Sequence, residues 1–196
     1  MAIPPAAVMS LRERTGLGMM DCKQALVECA GDVDGAIAWL RKKGMLRAAA
    51  KGERAATEGA IGSYVHTNGK IGVLVELACE TDFVTRSEEF RSLLRNLSLQ
   101  ICGLSPDYVR REDVPPEVVA RERSLAEESD LVKGKPPAVR EKIVTGILGR
   151  FYKDKCLLEQ PYRDEKRTVA EVLQEAVSKI GENITVRRFV RMSLGG

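Results

Sequence analysis

The dipeptide Asn68-Gly69 separates two β-prone runs, Ile61 to Thr67 and Lys70 to Ala78. Asn-Gly is a strong hairpin signal, because a two-residue turn of the hairpin type needs positive φ at both central positions. Such a turn sets a register in which Thr67 pairs with Lys70, Tyr64 with Val73 and Gly62 with Val75. One face of the hairpin then carries Tyr64, Ile71, Val73, Val75 and Leu77. The other mixes Ser63, Gly72 and Glu76 with Ile61, Val65 and Leu74. The first face is expected to be buried fully and the second in part, so the rest of the chain must supply an apolar layer.

That layer reads as helical. Within residues 1–50 a first helix ends near Thr15, and Gly16-Leu17-Gly18 makes a tight connection. A second helix carries Cys22, Ala25, Leu26 and Cys29 on one face and ends at Gly31. A third starts after Asp32, carries Val33, Ala36, Ile37 and Leu40, and stops at Gly44. Three helices in so short a span resemble the ubiquitin-associated type of module. Residues 45–59 read as a connector, helical at its start. Beyond the hairpin, Ser87 is placed to cap an amphipathic helix whose stripe is Phe90, Leu93, Leu94, Leu97 and Ile101, stopped by Ser105-Pro106. Pro115-Pro116 opens a charged helix to about Ser129, and a further helix runs from the Gly134–Pro137 loop to about Phe151. Cys156 to Leu158 reads as a short strand. Thr168 to Ile180 has the cleanest helical spacing, with Gly181 after it. A last strand, Ile184 to Met192, puts Ile184, Val186, Val190 and Met192 on one face, interrupted by Arg188. The class is α+β, with a helical module at 1–50, a connector at 51–59, and a core at 60–196 in which helices cover a small antiparallel sheet.

Composition removes several functions. The longest aliphatic stretches, such as Ile71 to Val75, are far too short to cross a membrane, and Met1 to Met9 has no basic flank and is broken by Pro4-Pro5, so no signal peptide is expected. A net charge of +3, from 31 basic and 28 acidic residues, is too mild to imply nucleic acid. Four Phe, four Tyr and one Trp are too few for a base-stacking platform. The five cysteines are scattered without a CxxC pair, which excludes a zinc site or a secreted disulfide framework and makes reduced thiols in a cytosol the default. The single histidine, His66, lies beside the hairpin turn, and the register puts it roughly 25 Å from Cys79, so the two cannot form a nucleophile–base pair. Neither a GxxxxGK[ST] loop nor a GxGxxG after a strand is present, so the chain is not expected to bind nucleotide itself. The basic run Arg41, Lys42, Lys43, Arg47, Lys51 and Arg54 could contact phosphate, but a solvated helix end explains it more simply.

Two stretches carry more information. Leu17, Met19 and Met20 sit on a loop entering a helix, where they close the small core or present adaptable side chains to a partner helix, and both can hold if one Met faces in and one out. In Glu80-Thr81-Asp82-Phe83-Val84-Thr85-Arg86, a Phe-Val step stands in a charged connection. Phe83 either tucks under the following helix as core or projects as an anchor, with Asp82 capping or pairing beside it. From the residues alone both readings stay open.

The run Leu11 to Leu26 (LRERTGLGMMDCKQAL) resembles the N-terminal signature of the bacterial elongation factor Ts family, and Glu76 to Val84 (ELACETDFV) resembles its second signature. The tail Ile180 to Phe189 (IGENITVRRF) is similar as well, so the resemblance runs along essentially the whole chain. Ala78 stands where the family usually has Asn, and Thr85 where it usually has Ala or Ser; neither falls within Thr81–Val84. The length resembles the compact form of the family, which implies a homodimer, with the final strand as an interface candidate; that strand holds no cysteine, so a disulfide there is excluded. The resemblance implies a cytoplasmic guanine-nucleotide exchange factor that binds elongation factor Tu in its GDP-bound and nucleotide-free states. It makes Leu17, Gly18, Met19 and Met20 the grip on a helix of the GTPase's nucleotide domain. It makes Thr81, Asp82, Phe83 and Val84 the group that dislodges the partner's Mg²⁺. It implies no catalytic residue, no cofactor, no metal of the chain's own, and no membrane or direct nucleic-acid contact. The alternatives are an adaptor for ubiquitin-like proteins, which leaves Thr81–Val84 unexplained, and an RNA- or ribosome-binding protein, which sits poorly with the mild charge.

Overall fold

Small apolar residues at helical spacing build the first elements, α1 (Pro5–Thr15), α2 (Met19–Glu28) and α3 (Val33–Gly52). In the computed structural model, which describes residues 3–15, 19–52, 54–163 and 166–195, they close on Val8, Leu11, Cys22, Ala25, Leu26, Ala36 and Leu40. Gly31, at φ 88°, ends α2 by donating its N–H to Leu26 O at 2.7 Å, a conformation that favours glycine. Asp32 then caps α3, its carboxylate accepting the N–H groups of Asp34 at 3.2 Å and Gly35 at 3.1 Å. The helix does not stop at Gly44 but runs to Gly52. The Ala48-Ala49-Ala50 run favours helix whatever it packs against, and that outweighs one glycine. The expected Gly16-Leu17-Gly18 connection lies outside the described residues.

Strands β1 (Glu58–Val65), β2 (Ile71–Cys79) and β3 (Ile184–Ser193) form one antiparallel sheet in the order β1-β2-β3. The hairpin register is the expected one, since His66 N–H donates to Ile71 O at 2.8 Å. The turn is different. Gly69 is left-handed at φ 67° but Asn68 is not, and Gly69 N–H bonds His66 O at 2.7 Å, so the loop is four residues long. Asn68 acts through its side chain instead, accepting the N–H of Lys70 at 2.9 Å. On the inward face Val73, Val75 and Leu77 are buried; on the outward face Ile61, Val65 and Leu74 are exposed. Leu194 N–H bonds Lys70 O at 2.9 Å and Arg188 pairs with Glu76 at 2.7 Å, which sets Val190 opposite Leu74.

β3 is buried unevenly along its length: Ile184 and Val186 are buried, whereas Val190 and Met192 are exposed, with Arg187 and Arg188 exposed between them.

α4 (Glu88–Leu104) begins at the expected cap: Ser87 Oγ accepts Phe90 N–H at 3.2 Å. Its stripe of Phe90, Leu93, Leu94, Leu97 and Ile101 is buried. It lies so close to β1 that a Cβ on Gly62 would stand 2.7 Å from Leu94 Cγ and 3.0 Å from Ser98 Oγ. α5 (Pro116–Glu128) packs on α6 (Pro137–Lys155) around Ala126, Val132 and Val144, and Arg123 bonds Glu141 across the pair at 2.9 Å. α6 continues a turn past Phe151, ending in Lys153 and Lys155, cations suited to a helix C-terminus; Lys155 also pairs with Asp107 at 2.6 Å. Cys156 to Leu158 is no strand. Cys156 makes one bridge to Tyr108, and a 3-10 turn, Leu157–Glu159, follows. Gln160, 1% exposed, ties the chain down by donating to Leu104 O and Asp154 O while accepting from Gln100. α7 (Val169–Ile180) opens with a reciprocal cap between Thr168 and Glu171 and ends at Gly181, φ 90°.

The chain divides into two compact units. One comprises Met1–Gly59, Ala78–Phe90 and Leu173–Thr185; the other comprises Ala60–Leu77, Arg91–Val172 and Val186–Gly196.

Candidate functional site

The loop between β2 and α4 is built almost wholly from its own backbone. Thr85 donates both N–H (3.2 Å) and Oγ1–H (2.6 Å) to Asp82 O, Arg86 N–H donates to Phe83 O at 3.2 Å, and Ser87 donates N–H (3.0 Å) and Oγ–H (2.8 Å) to Val84 O. Each carbonyl from Asp82 to Val84 is therefore occupied, and Ser87 passes the chain directly into α4. A loop so bonded has few alternative arrangements.

Its entry is anchored by acidic side chains. Glu182 accepts the N–H of Thr81 at 2.9 Å and its hydroxyl at 2.6 Å. Glu80 accepts the N–H of Asn183 at 2.6 Å, and Asn183 Nδ2 donates to Arg54 O at 2.7 Å. The second signature and the tail signature thus hold each other through neighbouring residues. Cys79, buried at the end of β2, donates its thiol to Thr81 O at 3.1 Å. Burial first, then the nearby Glu182 and Glu58 carboxylates, pushes this thiol above its ordinary range, so it stays protonated and is no nucleophile.

On this frame Phe83 is 76% exposed. The reading in which it tucks under α4 is overturned; Phe90, the third residue of α4, is the buried aromatic here. Asp82 pairs with Arg86 at 3.2 Å, and the Arg86 guanidinium lies 5.9 Å from the centre of the Phe83 ring. Thr81 is exposed and Val84 half-buried.

A second exposed group stands at the start of α2. Met19 is 45% and Met20 75% exposed, with Val27 exposed further along the helix. Neither methionine closes the three-helix core, which the residues named above already fill. Leu17 and Gly18 lie outside the described residues. His66 sits as a half-buried hairpin residue, its Nδ1 3.1 Å from Tyr64 Oη. Among the described residues no cluster of three or more His, Cys, Asp or Glu is placed to hold a metal, and no helix is long and apolar enough to cross a membrane. Sequence reasoning gave Glu182 and Asn183 no role. The tail signature contained them, but a contact spanning about half the chain leaves no local pattern.

The family model described as Elongation factor TS matches residues 27–178. The Elongation factor Ts of Oleidesulfovibrio alaskensis is 52% identical over 195 residues, covering 99% of this chain and 98% of the relative. That of Moorella thermoacetica is 51% identical, covering 98% and 96%, and that of Carboxydothermus hydrogenoformans 53%, covering 96% and 87%. With a family model across more than half its length and relatives of this identity from end to end, the chain belongs to the elongation factor Ts family.

Proposed function

We propose that this chain, by its family a guanine-nucleotide exchange factor for elongation factor Tu, acts by driving Phe83 beside the GTPase's nucleotide site. The observation that carries the reading is an aromatic ring 76% exposed on a turn whose carbonyls from Asp82 to Val84 all accept hydrogen bonds from within the turn. A ring held in this way loses little conformational freedom on insertion, so more of the contact energy remains for moving the partner. Family resemblance assigns Asp82 and Phe83 to the helices flanking the nucleotide, and Thr81 to Val84 as a group to dislodging the Mg²⁺. Shifting those helices displaces the groups that position the partner's Mg²⁺. Loss of that metal contact leaves the β-phosphate charge uncompensated and weakens GDP. The Mg²⁺ and the nucleotide are the partner's, and this chain supplies no ligand to either.

Met19 and Met20, with Leu17 and Gly18, grip a helix of the nucleotide domain, where the thioethers adapt to the facing surface. The energetics are those of linkage: the factor binds the empty GTPase more tightly than the GDP form, so GDP and the factor weaken each other by the same ratio. No covalent bond changes, so the chain is not an enzyme in the strict sense. The work takes place in the cytoplasm.

The chain works as a homodimer. The outward face of the sheet exposes Ile61, Val65, Leu74, Val190 and Met192, and a second copy covers this apolar face. The test of function is release of a fluorescent GDP analogue from elongation factor Tu with substoichiometric amounts of the protein. Many-fold acceleration is expected. No acceleration by a folded protein on a partner of the same source would reopen the adaptor and RNA-binding readings.

A further inference from the structure

Phe83 stands in solvent, so backbone rather than packing sets its position. The turn from Asp82 to Ser87 is bonded within itself, and a self-bonded turn can pivot as a unit about the point where the chain enters it. That point is Thr81. There the tie is to Glu182, 101 residues on, whose Oε2 takes the backbone N–H at 2.9 Å and whose Oε1 takes the hydroxyl at 2.6 Å. Two bonds to one planar carboxylate fix orientation as well as distance, and bonds to an ionised acceptor are the stronger kind. Glu182 is itself well mounted. It follows Gly181, which closes α7 by donating to Val177 O at 3.0 Å, and Leu173 and Val177 of that helix are buried. Its neighbour Asn183 is held in turn by Glu80 at 2.6 Å.

We propose that Glu182 is a positioning residue for exchange: it clamps Thr81 so that Phe83 meets the partner in one orientation. The inference rests on the exchange reading above. Glu182 touches neither nucleotide nor metal and acts through the loop. If losing the clamp leaves the loop competent about one time in ten, the maximal release rate falls about tenfold. The half-saturating concentration changes little, because the other contacts carry binding.

The test measures GDP-analogue release from elongation factor Tu across a range of concentrations of the full-length protein. Glu182→Ala, Glu182→Gln, Thr81→Val and Phe83→Ala are compared, each first checked for an unchanged thermal unfolding profile. Glu182→Ala should lower the maximal rate about tenfold with half-saturation within about twofold. Glu182→Gln should recover most of the rate, because its amide can accept the Thr81 N–H and donate to the Thr81 hydroxyl. Thr81→Val, which removes one bond and keeps the shape, should fall between. In the Phe83→Ala background, Glu182→Ala should add little. Should Phe83→Ala slow release while Glu182→Ala and Thr81→Val do not, the clamp is refuted and the exchange reading stands. An effect of Glu182→Ala confined to half-saturation also refutes the clamp. Unchanged release by Phe83→Ala refutes the wedge reading itself, and the clamp with it.

Discussion

Phe83 and Phe90 are the same residue type seven positions apart, yet one is 76% exposed and the other fully buried. Ser87 separates their fates: by capping α4 it turns the chain so that Phe90 enters the helix stripe while Phe83 stays on the turn before it. Truncating them should therefore have opposite consequences. Phe90→Ala should cost about 3–5 kcal/mol in urea unfolding, whereas Phe83→Ala should stay within about 0.5 kcal/mol of the parent. A large loss for Phe83→Ala would mean that the ring is core after all. The cysteines follow burial in the same way. Burial, then the nearby Glu159 carboxylate, pushes the Cys156 thiol from its ordinary 9.0 to about 11. The folded state keeps this proton to higher pH than the unfolded chain, so the associated stability is full below pH 9 and is lost as pH rises toward 11. At pH 8 a thiol-reactive dye should label half-buried Cys29 first and leave Cys156 unmodified in the native protein. Prompt labelling of Cys156 would contradict this.

At the level of elements, helices with a broad apolar stripe were readable from spacing alone: α4 and α7 begin and end where their caps and breakers stand. The hairpin register was readable too, because it is a short-range property of alternation around one turn. What escaped were features decided by contacts distant in sequence. That β3 is buried at Ile184 and Val186 but exposed at Val190 and Met192 leaves no mark in a pattern of alternating residues. The run after α6 looks β-prone, but Leu157 and Leu158 give their N–H groups to Tyr108 O and Val109 O while Leu157 O turns back to accept the N–H of Gln160. α3 outruns Gly44 for the opposite reason, a local one: the alanines that follow favour helix by more than one glycine opposes it. For the functional stretches, residues alone left Phe83 and the methionines open between core and surface. The structure places both in solvent, but the family resemblance supplied their partner. α2 yields a prediction at this scale. Met19→Ala with Met20→Ala should weaken binding to elongation factor Tu by about tenfold or more, while the helical circular-dichroism signal and melting curve stay unchanged, as suits exposed anchors. Unfolding of the first fifty residues would show instead that the methionines hold the module together.

For the whole molecule, the sheet has one face buried on its own chain and one face rich in exposed aliphatic side chains, with Leu74 and Val190 opposite each other at its centre. A charge there should be tolerated by a monomer and not by a pair. Val190→Glu is expected to shift sedimentation equilibrium from dimer to monomer without loss of secondary structure, and an unchanged mass would exclude this face as the interface. Function centres on the loop that joins this sheet to α4, where a bonded turn holds a bare aromatic ring. The most direct measurement of that claim is stopped-flow release of a fluorescent GDP analogue from elongation factor Tu at saturating wild-type protein and at saturating Phe83→Ala. The variant is expected still to form the complex but to release GDP about tenfold or more slowly. Equal release rates from the two complexes would contradict that expectation.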